Sequence, residues 1–211
     1  MRAANFTAEN VTFVNTTTRE QKIQALAFYT TGDRGRFQHC QFLGWQDTLR
    51  ADTPHDHVAR QYFVDCTIEG YVDFIYAAGT AVFDHCHIHC RGDGYITAAS
   101  TAANVPFGFV FLDCRLTAAP EVHKIYLGRP WRPFASVMFV RCELPAQIAD
   151  AGWHNWDNPA NETTARYAEY KSSGPGAKPA NRVPWSHQLS DTEVAPITIP
   201  HILAGSDGWK P

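Results

Sequence analysis

The stretch FQHCQF, residues 37–42, carries the pattern Phe-x-x-Cys-x-apolar, and this pattern returns four times along the chain. The further copies are FVDCTI (63–68), FDHCHI (83–88), FLDCRL (111–116) and FVRCEL (139–144). A weaker copy, AENVTF, stands at 8–13, and successive copies start 29, 26, 20, 28 and 28 residues apart. Such a period indicates a solenoid, in which each coil buries its apolar face against its neighbours. Because the repeats are rich in β-branched and aromatic residues, we predict an all-β fold, a single-stranded right-handed parallel β-helix.

The repeated cysteines follow from the same stacking. Equivalent residues on successive coils lie above one another, and free cysteine behaves as a small buried hydrophobe. We therefore predict an internal ladder of free thiols, with disulfides as the alternative. The ladder consists of Cys40, Cys66, Cys86, Cys114 and Cys142.

Length and composition indicate one folded domain over residues 1–211. The segment 145–211 is rich in Trp, Asn, Pro and Gly, and we expect long loops and one short helix near ETTARYAEY (162–170), packed on the side of the β-helix. A net charge of −3 argues against a nucleic-acid partner, and no apolar run is long enough for a membrane span. The chain opens almost directly into a strand without an apolar leader, so we expect further sequence upstream.

Two acids stand out in apolar surroundings, Asp47 in QFLGWQDTLRAD and Asp73 in EGYVDFIYAAG. Each lies seven residues after a ladder cysteine, Cys40 or Cys66, and the two acids are 26 residues apart, as are the two cysteines. They therefore occupy the same place on successive coils and should be neighbours. Two such carboxylates cannot both ionise easily, so we expect one raised pKa and one low pKa, the arrangement of an acid beside a nucleophile or base. An equally weighted alternative is a structural ladder that caps turns.

Further polar and aromatic residues could complete a site. In YLGRPWRPF, Arg129 and Trp131 flank a proline; arginine can hold a carboxylate by two hydrogen bonds, and tryptophan offers a flat face to a sugar ring. Gln24 is an amide in a predicted apolar strand and Gln46 precedes Asp47. Two amides beside an acid pair could form an oxyanion hole.

The segments QALAF, GWQDTLRAD, YVDFIYAAG and YLGRPW, in this order, resemble the pectin methylesterases, and the resemblance covers essentially the whole chain. The C-terminal GWHNWDNPANE and AGSDGW look like bacterial members. The resemblance implies hydrolysis of the methyl esters of galacturonate in pectin, without cofactor or metal, by a monomer that acts outside the cell.

The resemblance also implies roles for individual residues. Asp73 would attack the ester carbonyl, and Asp47 would protonate the departing methanol and then activate water. Gln24 and Gln46 would stabilise the oxyanion. Arg129 would hydrogen-bond Asp73, and Trp131 would line the sugar subsite.

Some positions depart from the family pattern. Arg50 replaces an aromatic residue after QDTL and could favour anionic neighbouring sugars. Tyr76 with Ala77 replaces Phe-Gly near the substrate groove, and the loop 53–59 looks longer than usual. The family also has further coils before residue 1, so an open end of the β-helix is expected.

Two rival functions stay open, a β-helical glycosidase that uses the acid pair and an inactive polysaccharide-binding β-helix. A metal site at DHCHIHC (84–90) is disfavoured. Strand alternation places His85, His87 and His89 on one face and Cys86, Ile88 and Cys90 on the other, so the ligands would not converge.

Overall fold

The chain is described by a computed structural model over residues 1–21, 23–54 and 58–211. Its strands pair in parallel, coil upon coil, and the predicted parallel β-helix is confirmed. No helix in these ranges is long or apolar enough to cross a membrane.

One sheet, sheet A, carries the beginning of each Phe-x-x-Cys repeat. In spatial order it consists of β1 (Thr7–Glu9), β4 (Gly35–Gln38), β7 (Arg60–Val64), β9 (Thr80–Asp84), β11 (Phe109–Leu112), β14 (Ser136–Val140), β15 (Arg166–Tyr170) and β16 (His187–Gln188).

A second sheet, sheet B, carries the second half of each repeat and the acid-bearing segments. Its members are β2 (Thr12–Val14), β3 (Phe28–Thr30), β5 (Gln41–Leu43), β6 (Leu49–Ala51), β8 (Thr67–Ala77), β10 (His87–Ala99), β12 (Arg115–Ala118) and β13 (Ile125–Gly128). The long strands β8 and β10 turn a corner, because their first halves pair with β5 and β12 and their second halves with β6 and β13.

The first residue of the repeat forms an aromatic stack inside the coils. The rings of Phe37, Phe63, Phe83, Phe111 and Phe139 lie nearly parallel, with successive centroids 4.6, 4.9, 4.6 and 4.4 Å apart. These spacings match the distance between paired strands. Each fully buried phenylalanine contributes about 1.5–3 kcal/mol through removal of its ring from water.

The thiol ladder is confirmed: the six cysteines are free and buried. Beyond packing, the thiols donate to main-chain oxygens of the preceding coil, as Cys66 does to Phe37 at 3.4 Å and Cys114 does to Phe83 at 3.3 Å. Each repeat thus links neighbouring coils twice, through the stacked ring of its phenylalanine and through the hydrogen bond that its cysteine thiol donates.

A left-handed residue stands directly before the ladder position in each coil and turns the chain from sheet A to sheet B. Its φ lies between 43° and 56° along the whole solenoid. A single left-handed residue bends the chain sharply, and its polar side chain stays outside. The turn residues are Asn10, His39, Asp65, His85, Asp113, Arg141 and Lys171.

The helix predicted near residues 162–170 is wrong. A short 3-10 helix occupies Pro159–Thr163, and Arg166–Tyr170 is strand β15, which extends sheet A beside β14. Parallel pairing with an existing sheet edge outweighs the local helical pattern of TTARYAEY. The α-helices lie later, α1 (Asp191–Val194) and α2 (Ile199–Leu203), and α2 buries Ile202 and Leu203 against the outer face of sheet A.

Candidate active site

Asp47 and Asp73 lie at the corner where sheet B bends. The register between the two coils is the same before and after the acids, since Gln41 faces Thr67 and Leu49 faces Ile75. The amide of Asp47 also donates to the carbonyl of Val72 at 3.1 Å. The two acids therefore occupy equivalent positions on neighbouring coils, as their spacing predicts.

Both acids sit in a backbone conformation that side-chain-bearing residues rarely adopt, with φ of 64° at Asp47 and 51° at Asp73. Val72 and Ile75 of β8 pair with Tyr95 and Thr97 of β10. Two residues therefore lie between the paired positions on β8, but only one lies between them on β10. This extra residue is a β-bulge, which bends a strand and redirects a side chain. A strained conformation of this kind is kept where surrounding structure enforces it, and such positions cluster at functional sites.

Arg129 holds Asp73 through two hydrogen bonds. Its Nε donates to Oδ1 of Asp73 at 2.9 Å and its Nη2 donates to Oδ2 at 2.6 Å. The guanidinium lies between two aromatic rings, 3.9 Å from the centroid of Tyr95 and 3.7 Å from that of Trp156. This packing fixes the plane of the guanidinium, so the carboxylate has one preferred orientation.

Burial governs the pKa of both acids. Asp47 is 7% exposed, and its burial, followed by repulsion from Asp73, raises its pKa to about 6. The expectation of a low pKa at the partner is wrong: burial raises the pKa of Asp73 as well, although the bonds from Arg129 oppose the rise. Because Arg129 hydrogen-bonds both oxygens of Asp73, the negative charge of the acid pair is best accommodated on Asp73.

The side chains of Tyr76, Arg50 and Trp131 lie together on one flank of the acids. The Tyr76 ring is buried and packs edge-on against Trp131, with centroids 5.9 Å apart, and its hydroxyl interacts with Asp47. Burial and the charge of Asp47 raise the pKa of Tyr76 to about 12. Arg50 lies over the rings of Tyr29 and Tyr76 and donates two hydrogen bonds to Asp52.

Gln24 and Gln46 lie on adjacent coils, linked where the amide of Ala25 donates to the carbonyl of Gln46 at 3.2 Å. The prediction that Gln24 sits in an apolar strand is wrong, since it is exposed and precedes β3 in irregular chain. Gln46 is half-buried. In the described ranges neither side-chain amide has a hydrogen-bond partner, which leaves their donors available to an incoming group.

The histidines of DHCHIHC alternate with the buried residues as predicted. Cys86, Ile88 and Cys90 point into the core, whereas His87 and His89 lie outside and share the hydroxyl of Thr117 at 2.7 Å each. Across the described part of the chain, no three His, Cys, Asp or Glu side chains converge as a metal site would require. The longer loop predicted over 53–59 includes residues 55–57, which lie outside the described residues, so its length stays a prediction.

A model of the pectinesterase family matches residues 1–206, which contain both acids and Arg129. The chain belongs to the pectinesterase family. It is 46% identical to pectinesterase 31 of Arabidopsis thaliana over 90% of its own length, and it spans 58% of the length of that relative.

Solved pectinesterase-family structures share the fold. A pectin methylesterase from carrot is 32% identical, with a TM-score of 0.88 over 97% of this chain and 67% of that one. The enzyme from Yersinia enterocolitica is 30% identical, with a TM-score of 0.81 over 98% of this chain and 76% of that one. A pectin methylesterase in complex with a hexasaccharide is 27% identical, with a TM-score of 0.78 over 99% and 72% of the two chains.

The site contains two residues that sequence reasoning missed, Tyr95 and Trp156, which enclose Arg129. Trp156 has a φ of 62°, and its amide donates to the Nδ1 of His154 at 3.1 Å. The Trp-rich stretch GWHNWDNP was the only signal for Trp156, and Tyr95 in GDGYIT carried none. Trp156 joins Tyr95 around Arg129 because the loop that carries Trp156, some sixty residues downstream of Tyr95, packs back over β10.

Proposed function

We propose that this chain hydrolyses methyl esters of galacturonate units in pectin and releases methanol. The observation that carries the proposal is the bent corner of sheet B, where a carboxylate bound by Arg129 adjoins a second carboxyl group with a pKa of about 6. One group can thus carry negative charge while its neighbour carries a proton, which is the combination that nucleophilic ester cleavage needs.

In the first half-reaction an oxygen of the Asp73 carboxylate attacks the ester carbonyl. Arg129 occupies both Asp73 oxygens from one side, which orients the carboxylate for attack along its remaining lone pairs. The tetrahedral oxyanion would lie near the amides of Gln46 and Gln24, whose donors can stabilise the developing charge. Collapse breaks the bond to methoxide oxygen, and protonated Asp47 gives its proton to that oxygen to release methanol.

The second half-reaction regenerates the site. Asp47, now ionised, takes a proton from water while the water oxygen attacks the acyl carbonyl of the galacturonyl–Asp73 anhydride. Cleavage of that anhydride returns the Asp73 carboxylate and leaves a free acid on the sugar. Burial favours return of a proton to Asp47 at this stage, because it raises the pKa of that carboxyl group, whereas acylated Asp73 carries no charge.

The flank formed by Trp131, Tyr76 and Arg50 supplies the sugar-binding surface in this proposal. Trp131 is half-exposed and offers an aromatic face, whereas Tyr76 lies beneath it and supports its position. We further infer that pectin is the polymer partner, that the protein works as a monomer, and that it acts outside the cell where pectin lies.

The deciding experiment measures methanol and polymer length together after incubation with highly methylated pectin. Methanol release without chain shortening is expected for the esterase. Chain shortening without methanol would support the glycosidase, and binding without either product would support the inactive binder. Circular dichroism on the same sample verifies that the protein is folded.

A further inference from the structure

Tyr95 and Trp156, the two rings that enclose Arg129, both contact one further side chain, His154. The His154 ring lies edge-on to Tyr95, with centroids 5.5 Å apart. Its Nδ1 accepts the hydrogen bond that the amide of Trp156 donates at 3.1 Å. His154 is thus joined to both sides of the Arg129 enclosure, to one by ring packing and to the other by a hydrogen bond.

His154 itself is held by its main chain and by its ring. Its amide donates to the carbonyl of Gly128, the residue directly before Arg129, at 3.1 Å. Its ring also lies edge-on to Tyr126, with centroids 5.3 Å apart, and Tyr126 stacks on Tyr95. Edge-to-face packing of this kind favours one orientation of the rings. The imidazole therefore has a defined place beside the enclosure.

The bond to Nδ1 closes a turn in which two successive residues have a left-handed backbone. The φ angle is 62° at Trp156 and 54° at Asp157. Bulky side chains rarely adopt this conformation, and surrounding contacts must hold it. The bond to His154 supplies such a contact at the bend itself. Without an acceptor there, the Trp156 ring would lose a restraint that keeps it 3.7 Å from the guanidinium of Arg129.

The role of His154 in this turn is that of a hydrogen-bond acceptor. Nδ1 can accept only when it carries no proton, so the ring hydrogen lies on Nε2. Nε2 is 3.8 Å from Oδ1 of the exposed Asp157, whose negative charge favours a hydrogen on that side. Asparagine can supply an acceptor in the same position, since Asn15 and Asn158 accept from the amides two residues on, at 2.9 and 3.2 Å.

We propose that His154 is a positioning residue for the esterase reaction, because it fixes the two rings that hold Arg129 against Asp73. The inference rests on the proposed esterase function. Arg129 donates to both oxygens of Asp73, and a rotated guanidinium would keep only one of these bonds. A carboxylate with one bond has several orientations, so fewer bound esters would meet its oxygen in line. Loss of the acceptor should therefore lower kcat and leave KM nearly unchanged.

The test compares two variants that both remove the imidazole ring. His154→Asn keeps an acceptor in the position of Nδ1, whereas His154→Leu has the same branching without an acceptor. On highly methylated pectin, the leucine variant should lower kcat for methanol release by about tenfold, and the asparagine variant should stay within about threefold of the parent. KM should change by less than about twofold in both. Circular dichroism gives the folded fraction, so that kcat is expressed per folded molecule.

Two further variants show whether the effect passes through Trp156. In a Trp156→Ala background the difference in kcat between the asparagine and leucine variants should vanish, because the ring that the hydrogen bond places is gone. His89→Leu is the matched control. His89 is also half-buried, and its Nδ1 bonds the hydroxyl of Thr117 on the outer face of sheet B. Its loss should leave kcat at the parent value.

Hydrogen exchange at the Trp156 amide, followed by NMR, detects the bond without turnover. Protection should be similar in the parent and in His154→Asn, and about tenfold lower in His154→Leu. This measurement separates the hydrogen bond from the ring contacts, which both variants lose.

Equal kcat values in His154→Asn and His154→Leu would overturn the inference, because ring packing alone would then explain any loss. A higher KM with unchanged kcat, an equal fall in His89→Leu, or equal protection of the Trp156 amide in the two variants would overturn it as well. Failure of the parent to release methanol would instead overturn the proposed esterase function, while hydrogen exchange would still decide whether His154 holds Trp156. The two failures are therefore distinguishable.

Discussion

Arg129 with Asp73 and Arg182 with Glu169 are both arginine–carboxylate pairs joined by two hydrogen bonds, and they lie in different parts of the solenoid. In the corner of sheet B, the side chains of Arg129 and Asp73 are 19% and 10% exposed. At the C-terminal end of the coils, those of Arg182 and Glu169 are 2% and 4% exposed.

The C-terminal pair closes the end of the aromatic stack. Glu169 faces Phe139 in the register of sheet A and so occupies the phenylalanine position of the next coil. Arg182 donates to both oxygens of Glu169 and also to the carbonyls of Ala149, Asp150 and Gly176. Every part of the guanidinium is thus bound by protein, as a buried charge requires.

The Arg129–Asp73 pair in the corner of sheet B has different surroundings. Besides Asp73, Arg129 contacts the faces of Tyr95 and Trp156, and its carboxylate partner lies in a strained backbone beside a second acid. The difference teaches that the same pairing satisfies every polar group in the buried pair and leaves the carboxylate accessible in the corner, where the proposed function needs it. The following experiments test this contrast.

The largest effect is expected for Asp73→Asn, which should lower methanol release by at least about 10⁴-fold because an amide cannot act as the nucleophile. The change keeps the shape of the side chain, so the thermal unfolding midpoint should move little. Rates of methanol release and a melting curve are the measurements.

Asp113→Asn is the control for that prediction. Asp113 also has a positive φ, 52°, and accepts two hydrogen bonds from Arg141, yet it lies on an exposed turn. Its loss should leave turnover near the parent value. Parent-like turnover in Asp73→Asn would assign Asp73 to structure, like Asp113.

Arg182→Met should lower the free energy of unfolding by about 3–5 kcal/mol, because Glu169 would be left buried and unpaired. Methanol release per folded molecule should stay close to that of the parent. Urea denaturation measures the loss, and the double variant Arg182→Met with Glu169→Met should regain part of it. A loss below about 1 kcal/mol would contradict the view that removal of the Arg182 guanidinium leaves Glu169 as a buried, unpaired charge.

Arg129→Lys should lower kcat/KM by about 10- to 100-fold, since lysine cannot make two parallel bonds or stack between two rings. The free energy of unfolding should fall less than in Arg182→Met. Steady-state kinetics measure the fall in kcat/KM. The same measurement on Arg141→Lys, which changes an exposed arginine–carboxylate pair, separates this fall from a general effect of replacing arginine by lysine. Full activity in Arg129→Lys would limit its role to neutralising charge.

The last effect concerns the dependence of stability on pH. Burial and Asp73 raise the pKa of Asp47 from 3.8 to about 6 in the folded protein. The folded state therefore binds more protons than the unfolded state between these values, and the stabilisation present below pH 4 is lost as the pH rises through 6.

Relative to Asp47→Asn, the unfolding free energy of the parent should thus fall by up to about 3 kcal/mol across this window. Urea denaturation at several pH values measures the difference. Parallel pH profiles for the two proteins would show that Asp47 titrates near its ordinary pKa.

Much of the fold could be predicted because a solenoid converts sequence spacing into spatial position. The repeat placed Cys40 over Cys66, and the same interval of 26 residues placed Asp47 over Asp73. The stacking of the repeat phenylalanines follows from the same rule. Residues that are equivalent in successive coils become neighbours because parallel strands pair at a constant separation.

Contacts between different faces and loops could not be predicted in this way. Residues 166–170 became strand because pairing satisfies the main-chain groups at the exposed edge of β14 and buries Tyr167 and Ala168. Trp156 reached Arg129 through a loop.

The sequence by itself determined the coil period, the internal ladders and the adjacency of the two acids, because all three depend on a constant interval between like residues. Only the tertiary structure decided that both acids would have raised pKa values, since burial comes from every element packed around them. It also decided the enclosure of Arg129, which depends on how loops from distant coils pack over the corner of sheet B.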